Sequence, residues 1–120
     1  MWLMTRYGFF SIGCAWKTET DNTPHPDLMM IRARSKAHLV NLQDRFKALG
    51  KYDITETQDT DYPCRIIASK SDIANMLSQL LEEIDYCNFK DEVPNTLPND
   101  ARYHHFLLRV WSEGLYLQNK

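Results

Sequence analysis

Apolar positions along the chain repeat one pattern, a β-rich run that leads into a stripe at helical spacing. In the first copy Ile31-Arg32-Ala33 precedes Ser35 and the stripe Leu39, Leu42 and Phe46. In the second, 35 residues later, Ile66-Ile67-Ala68 precedes Ser71 and the stripe Ile73, Leu77, Leu80 and Leu81. Strand side chains alternate between two faces, whereas helical side chains recur every three or four positions, so each copy reads as a strand followed by a helix. The second helix carries the clearest signature: Ile73, Met76, Leu77, Leu80, Leu81 and Ile84 line one face. Ser35 is expected to cap a helix over 36–49, closed by Gly50, and Ser71 to cap the second.

The remaining pattern supplies further strands and one more helix. Trp2 to Trp16 is rich in aromatic and β-branched residues, with Gly8 and Gly13 the only breakers, which predicts one long strand bulged at a glycine. Leu28 to Arg34, Lys51 to Thr57 and Tyr62 to Ser69 read as three more strands. Polar residues 17–27, with Pro24 and Pro26, read as a long loop, and residues 86–98, broken by Pro94 and Pro98, as a connector. Asn99 is expected to cap a last helix whose apolar face, Tyr103, Phe106, Leu107, Val110 and Trp111, is widened by Leu108 and Leu115.

The order β-β-α-β-β-α-α predicts a single α+β domain over 1–120, a two-layer sandwich. Splitting a strand-helix-strand unit around the fourth strand gives a permuted ferredoxin-like, four-stranded antiparallel sheet of order 1-2-4-3 plus the C-terminal helix. Two β-β-α halves closing as a pseudo-symmetric barrel are the alternative.

The chain has 120 residues, 43% hydrophobic and 25% charged, which suits one ordinary core. Fourteen Lys and Arg against sixteen Asp and Glu give a net charge of -2, so no global positive field draws it to nucleic acid or anionic lipid, and any such binding needs a local patch. No stretch is long and apolar enough to span a bilayer, so no membrane partner is expected. Ser11-Ile12-Gly13-Cys14 faintly resembles a lipoprotein box, but Arg6 interrupts the apolar run and strand is the better reading. Cys14, Cys64 and Cys87 are odd in number and widely spaced, which fits small buried residues in a reducing cytoplasm better than disulfides or zinc.

The chain also resembles a family of small bacterial and phage proteins. The residues that carry this are Met1-Trp2-Leu3-Met4-Thr5-Arg6-Tyr7-Gly8-Phe9-Phe10-Ser11, His25 to Arg34, Asp61 to Ile66, Ile84 to Val93, and Val110-Trp111 with Leu117-Gln118. The resemblance spans nearly the whole chain and implies no particular activity. The family pattern places a histidine three residues before the tryptophan, where this chain has Leu108, so it brings no catalytic histidine to that position.

Among residues that could carry chemistry, Arg32, Arg34 and Arg65 lie on adjacent expected strands, and Arg6 could join them. Two positions apart on a strand means a shared face, so these guanidiniums, near Tyr7 or Tyr62, would form an anion, nucleotide or single-stranded nucleic-acid site. The alternative is a solvated face paired with Glu56, Asp59 and Asp61. No RNP-type aromatic motif accompanies them. Adjacent His104 and His105 diverge on a helix and cannot share a metal; His25 and His38 read as surface or capping residues. Asp59, Asp61, Glu82, Glu83, Asp85, Asp91 and Glu92 have no spacing that pairs two of them in a pocket. No nucleotide, hydrolase or metalloprotease motif is present, so no cofactor is expected and catalysis is less favoured than binding. Tyr86, Phe89 and Lys90 after the second helix, with His105, Leu108, Trp111 and Leu115 on the last, form a candidate homo-oligomer or protein-partner interface. The expected function is a small binding protein, and the resemblance implies an accessory or inhibitor carried by a phage or mobile element.

Overall fold

The computed structural model describes residues 1–18, 20 and 22–118; residues 19 and 21, within the loop expected at 17–27, lie outside the described residues. Among the described residues the elements are β1 (Trp2–Thr5), β2 (Gly8–Trp16), β3 (Pro24–Ala33), α1 (Lys36–Arg45), β4 (Thr55–Glu56), β5 (Cys64–Ser69), α2 (Lys70–Glu82), α3 (Phe89–Thr96) and α4 (Ala101–Glu113). Two 3-10 turns, Lys47–Leu49 and Gly114–Gln118, complete them. The fold is α+β, with five strands in one open antiparallel sheet of order β1-β2-β3-β5-β4. The expected order of four is contained in this, and the fifth strand arises because the long N-terminal run folds back on itself at residues 5–8. Contacts divide the chain into two compact units: Met1–Met4 with Gly8–Ile84, and Thr5–Tyr7 with the residues from Asp85 on.

In the first unit, strand register fixes what shares a face. Ile12, Ile31 and Ile66 stand side by side across β2, β3 and β5, and so do Ala33 and Cys64, and Met29 and Ala68. Phe10, Ile31, Ala33, Ile66 and Ala68 are fully buried. α1 packs on β2, β3 and β5 and α2 on β3 and β5, which places both helices on this face. Leu39 and Leu42 of α1, Leu49 of the following turn, and Ile73 and Met76 of α2 complete the core.

Several boundaries differ from the sequence reading, each for a local reason. Gly8, at φ +153°, starts β2 after the turn; a Cβ there would lie 2.4 Å from Cγ of His38. His38, expected as a surface or capping residue, is buried, and its Nδ1 accepts from the Phe9 N–H at 3.3 Å. The bulge falls between Cys14 and Trp16, not at a glycine. β3 starts at Pro24 because Lys17 N–H reaches the Thr23 carbonyl, while His25 Nδ1 accepts from the Asp27 and Leu28 N–H groups. α1 stops at Arg45, and Gln43 Nε2 donates to the carbonyls of Leu49 and Tyr52, which turns residues 50–53 away from the ladder and shortens β4 to two residues.

α2 begins two residues earlier than expected because Ser69, not Ser71, is its N-cap, accepting from Asp72 N–H at 3.2 Å. Tyr52 reinforces this end: its hydroxyl accepts from Ser69 N–H at 3.1 Å and donates to Asp72 at 2.6 Å, and Lys51 Nζ lies 3.0 Å from the same carboxylate. At the other end Glu83 pairs with Arg45. Only the first half of the α2 stripe is buried; Leu81 and Ile84 are exposed.

In the second unit the expected connector holds a helix, α3, with Pro94 inside it; the cost is one backbone bond, the one position 94 would have made to the Lys90 carbonyl. α4 is capped by Asp100, whose carboxylate accepts from Tyr103 N–H at 3.1 Å, one residue later than the expected Asn99. Tyr103 and Leu107 are its buried positions, and the Tyr103 hydroxyl donates to the Thr5 carbonyl at 2.6 Å. Burial pushes that phenol above its ordinary range, so it stays a neutral donor. No described helix is long and apolar enough to cross a membrane.

Candidate functional site

The sheet face opposite α1 and α2 carries the arginines. Ser11, Arg32, Arg65 and Thr55 are successive partners across β2, β3, β5 and β4, so their side chains form one row. Arg32 Nη2 donates to Ser11 Oγ at 2.9 Å, and Arg65 Nη2 to Thr57 Oγ1 at 3.0 Å. Two residues along β3, Arg34 joins Arg32 at Tyr62: their guanidinium carbons lie 4.9 and 4.8 Å from that ring's centroid. Tyr62 is 7% exposed and also meets the Phe9 ring, 6.5 Å centroid to centroid. The Ser11 and Thr57 hydroxyls were not singled out in the sequence; cross-strand register would have found Ser11.

The row gathers three cations on one sheet face. Elsewhere Arg6, Lys36, Arg45 and Lys51 each pair with a carboxylate. Glu56, expected beside the sheet arginines, pairs with Lys36 instead. Among the described residues Arg32, Arg34 and Arg65 make no ion pair, and Arg32 Nε is buried without a hydrogen-bond partner. Lys17, Lys47, Lys70, Arg102 and Arg109 likewise make no ion pair among the described residues. Like charges facing across a ladder destabilise it by about 0.2–1 kcal/mol. An unsatisfied buried donor costs about 1–3 kcal/mol more. Against these costs stand the hydrogen bonds to Ser11 and Thr57 and the stacking of Arg32 and Arg34 on Tyr62, each worth about 0.5–1.5 kcal/mol.

Arg6 does not join it. Its Nη1 lies 3.0 Å from Asp85 and 3.5 Å from Glu92, and its guanidinium sits 5.8 and 5.5 Å from the Tyr7 and Tyr86 rings, a self-contained cluster of the second unit. A guanidinium already matched by two carboxylates is not available to an anion.

The other candidates are dispersed. Tyr86 and Phe89 are half-buried with rings 6.4 Å apart, and Lys90 Nζ lies 5.7 Å from the Trp111 ring centroid. Leu108, Trp111 and Leu115 are 40%, 59% and 45% exposed along one side of α4 and the following turn, and His105 is exposed as well. Among the described residues no three His, Cys, Asp or Glu side chains converge as a metal site. Burial pushes the Cys64 thiol up, which keeps it protonated and unreactive. A depression of about 410 Å³ beside the start of α2, between Pro26, Asp27, Ser69, Lys70, Ser71 and Ala74, includes none of the arginines.

Comparison of the chain with protein-family models, with curated proteins and with solved structures returns no match.

Proposed function

We propose that the protein acts by binding rather than catalysis, and that its ligand is an anion held on the open sheet face by Arg32, Arg34 and Arg65. The observation that carries this is the concentration of three guanidiniums without a carboxylate partner among the described residues, in a chain whose net charge is -2. Guanidiniums keep their charge at every physiological pH and offer paired N–H groups that match phosphate and carboxylate oxygens. Ser11, Thr57 and Tyr62 hold them in place, so little side-chain entropy is lost when an anion arrives. The scaffold reading that goes with this is a permuted ferredoxin-like layer, supported by the split of β3-α1-β4 around β5. The free cysteines support a reducing, cytoplasmic setting. A role as an accessory or inhibitor encoded on a phage or mobile element rests on the sequence resemblance alone.

Calorimetric titration with inorganic pyrophosphate at low ionic strength tests the reading. Binding should weaken as salt rises and fall by about tenfold or more in Arg32→Gln/Arg34→Gln, which keeps the side-chain stems. Unchanged binding in that variant, or none by the native protein, contradicts it.

A second reading, a homo-oligomer contact through α4, is favoured by the exposure of Leu108, Trp111 and Leu115. Sedimentation of the native chain beside Leu108→Glu tests it: a dimer that the variant dissociates supports it, and a native monomer removes it.

A further inference from the structure

The row next to the arginines identifies which anion fits. Two residues along each strand from Ser11, Arg32 and Arg65, the same face presents Gly13, Met30 and Ile67, again successive cross-strand partners. This second row is apolar, with open space at Gly13. Ile67 is 38% exposed, Met30 is half-buried, and a Cβ built on Gly13 would meet nothing within 4 Å. A charged row thus lies beside an apolar one, separated by two strand residues, about 7 Å. That step is about the span from a phosphate across a sugar to a ring.

We infer that the ligand is a nucleoside phosphate or a phosphate ester of that shape, its phosphate on Arg32 and Arg65 and its ring over Gly13, Met30 and Ile67. The inference rests on the anion reading of the same face. Two features support the ring's position. The absence of a side chain at Gly13 lets a planar group approach the sheet, and the Met30 thioether makes favourable contacts with aromatic rings. The patch is small: Arg32 and Arg65 are one strand apart, about 5 Å, which suits one or two phosphates rather than a long strand of nucleic acid. Recognition of this kind reads the ring by shape, so the inference concerns the class of ligand and not the base.

Titrations of adenosine 5′-diphosphate, inorganic pyrophosphate and a thymidylate oligomer into the native protein, Gly13→Val and Ile67→Ser separate the possibilities. The valine has open space and suits a strand, so the fold is retained. The expected result is that the nucleotide binds about tenfold more tightly than pyrophosphate, that both substitutions remove this advantage, and that pyrophosphate binding stays unchanged. Equal binding of nucleotide and pyrophosphate by the native protein, or a nucleotide advantage that survives in both variants, overturns the inference and leaves the anion reading standing. An oligomer that binds more tightly than the nucleotide and displaces it, with its binding lost in both variants, overturns it in favour of a strand. Failure of all three probes overturns the anion reading itself.

Discussion

Arg32 stands directly opposite Arg65 in the antiparallel β3–β5 ladder, two cations on adjacent strands with no carboxylate between them among the described residues. If the pair serves a ligand rather than the fold, Arg65→Glu should stabilise the free protein. It converts repulsion into attraction, and the new carboxylate can accept from the Thr57 hydroxyl that Arg65 now uses. The expected gain is about 0.5–1 kcal/mol at low salt, shrinking as salt rises, together with loss of anion binding. Denaturant melts at two ionic strengths read it; a destabilised variant would show that the pair is tolerated for packing.

Gly8 and His38 form a steric lock between the start of β2 and α1. Alanine at position 8 would place its methyl carbon against Cγ of His38 at 2.4 Å, in a backbone conformation that L-residues rarely adopt. A loss of about 2–4 kcal/mol is expected for Gly8→Ala. His38→Ala should cost less in the Gly8→Ala background than in the native one, because only there does truncating the imidazole relieve a clash. Additive losses in a double-mutant cycle would contradict the lock.

The two faces of the sheet are legible in the sequence. The alternation of Ile31, Ala33, Ile66 and Ala68 gave the helix-covered face, and the same alternation put Arg32 and Arg65 on the other. The N-terminal run could not be divided in advance, because residues 5–8 lack the turn chemistry that marks a tight hairpin, and what demands Gly8 is His38, thirty residues away. α3 is masked in the sequence by Pro94, and the place of Arg6 is not legible there because its pairing with Asp85 and Glu92 spans most of the chain. Position along a strand is local information; the partner of a long side chain is not.

The start of α2 should make stability sensitive to acid. The Tyr52 hydroxyl, followed by the Lys51 ammonium, holds the Asp72 carboxyl below the usual carboxylate range. A carboxyl whose pKa is lower folded than unfolded stabilises the fold above the unfolded value, and that contribution is lost as pH falls through the folded one. Tyr52→Phe should therefore lose stability near neutral pH and show a shallower decline between the ordinary aspartate range and lower pH. Ser69→Ala, which removes the cap, should cost about 1 kcal/mol. Identical acid profiles for native protein and Tyr52→Phe, followed by circular dichroism, would sink this account.

Thiol reactivity should rank by burial. Cys87 is exposed, Cys14 half-buried and Cys64 buried with its thiol pushed up by desolvation. A chromogenic disulfide reagent should label Cys87 first and leave Cys64 unmodified until the protein is unfolded. Prompt labelling of Cys64 in the native protein, located by peptide mass spectrometry, would show that β5 opens far more readily than its packing implies.

The most direct test of the arginine face is the Arg32 Nε–H signal itself, followed by proton–nitrogen correlation spectroscopy as adenosine 5′-diphosphate is added. Its burial slows exchange with water and makes it observable. It should move progressively with the Arg65 side chain and the Gly13 and Ile67 amides, and saturate at one concentration for all four. Shifts that leave these signals in place while others move, or no shift at all at low salt, would contradict the account.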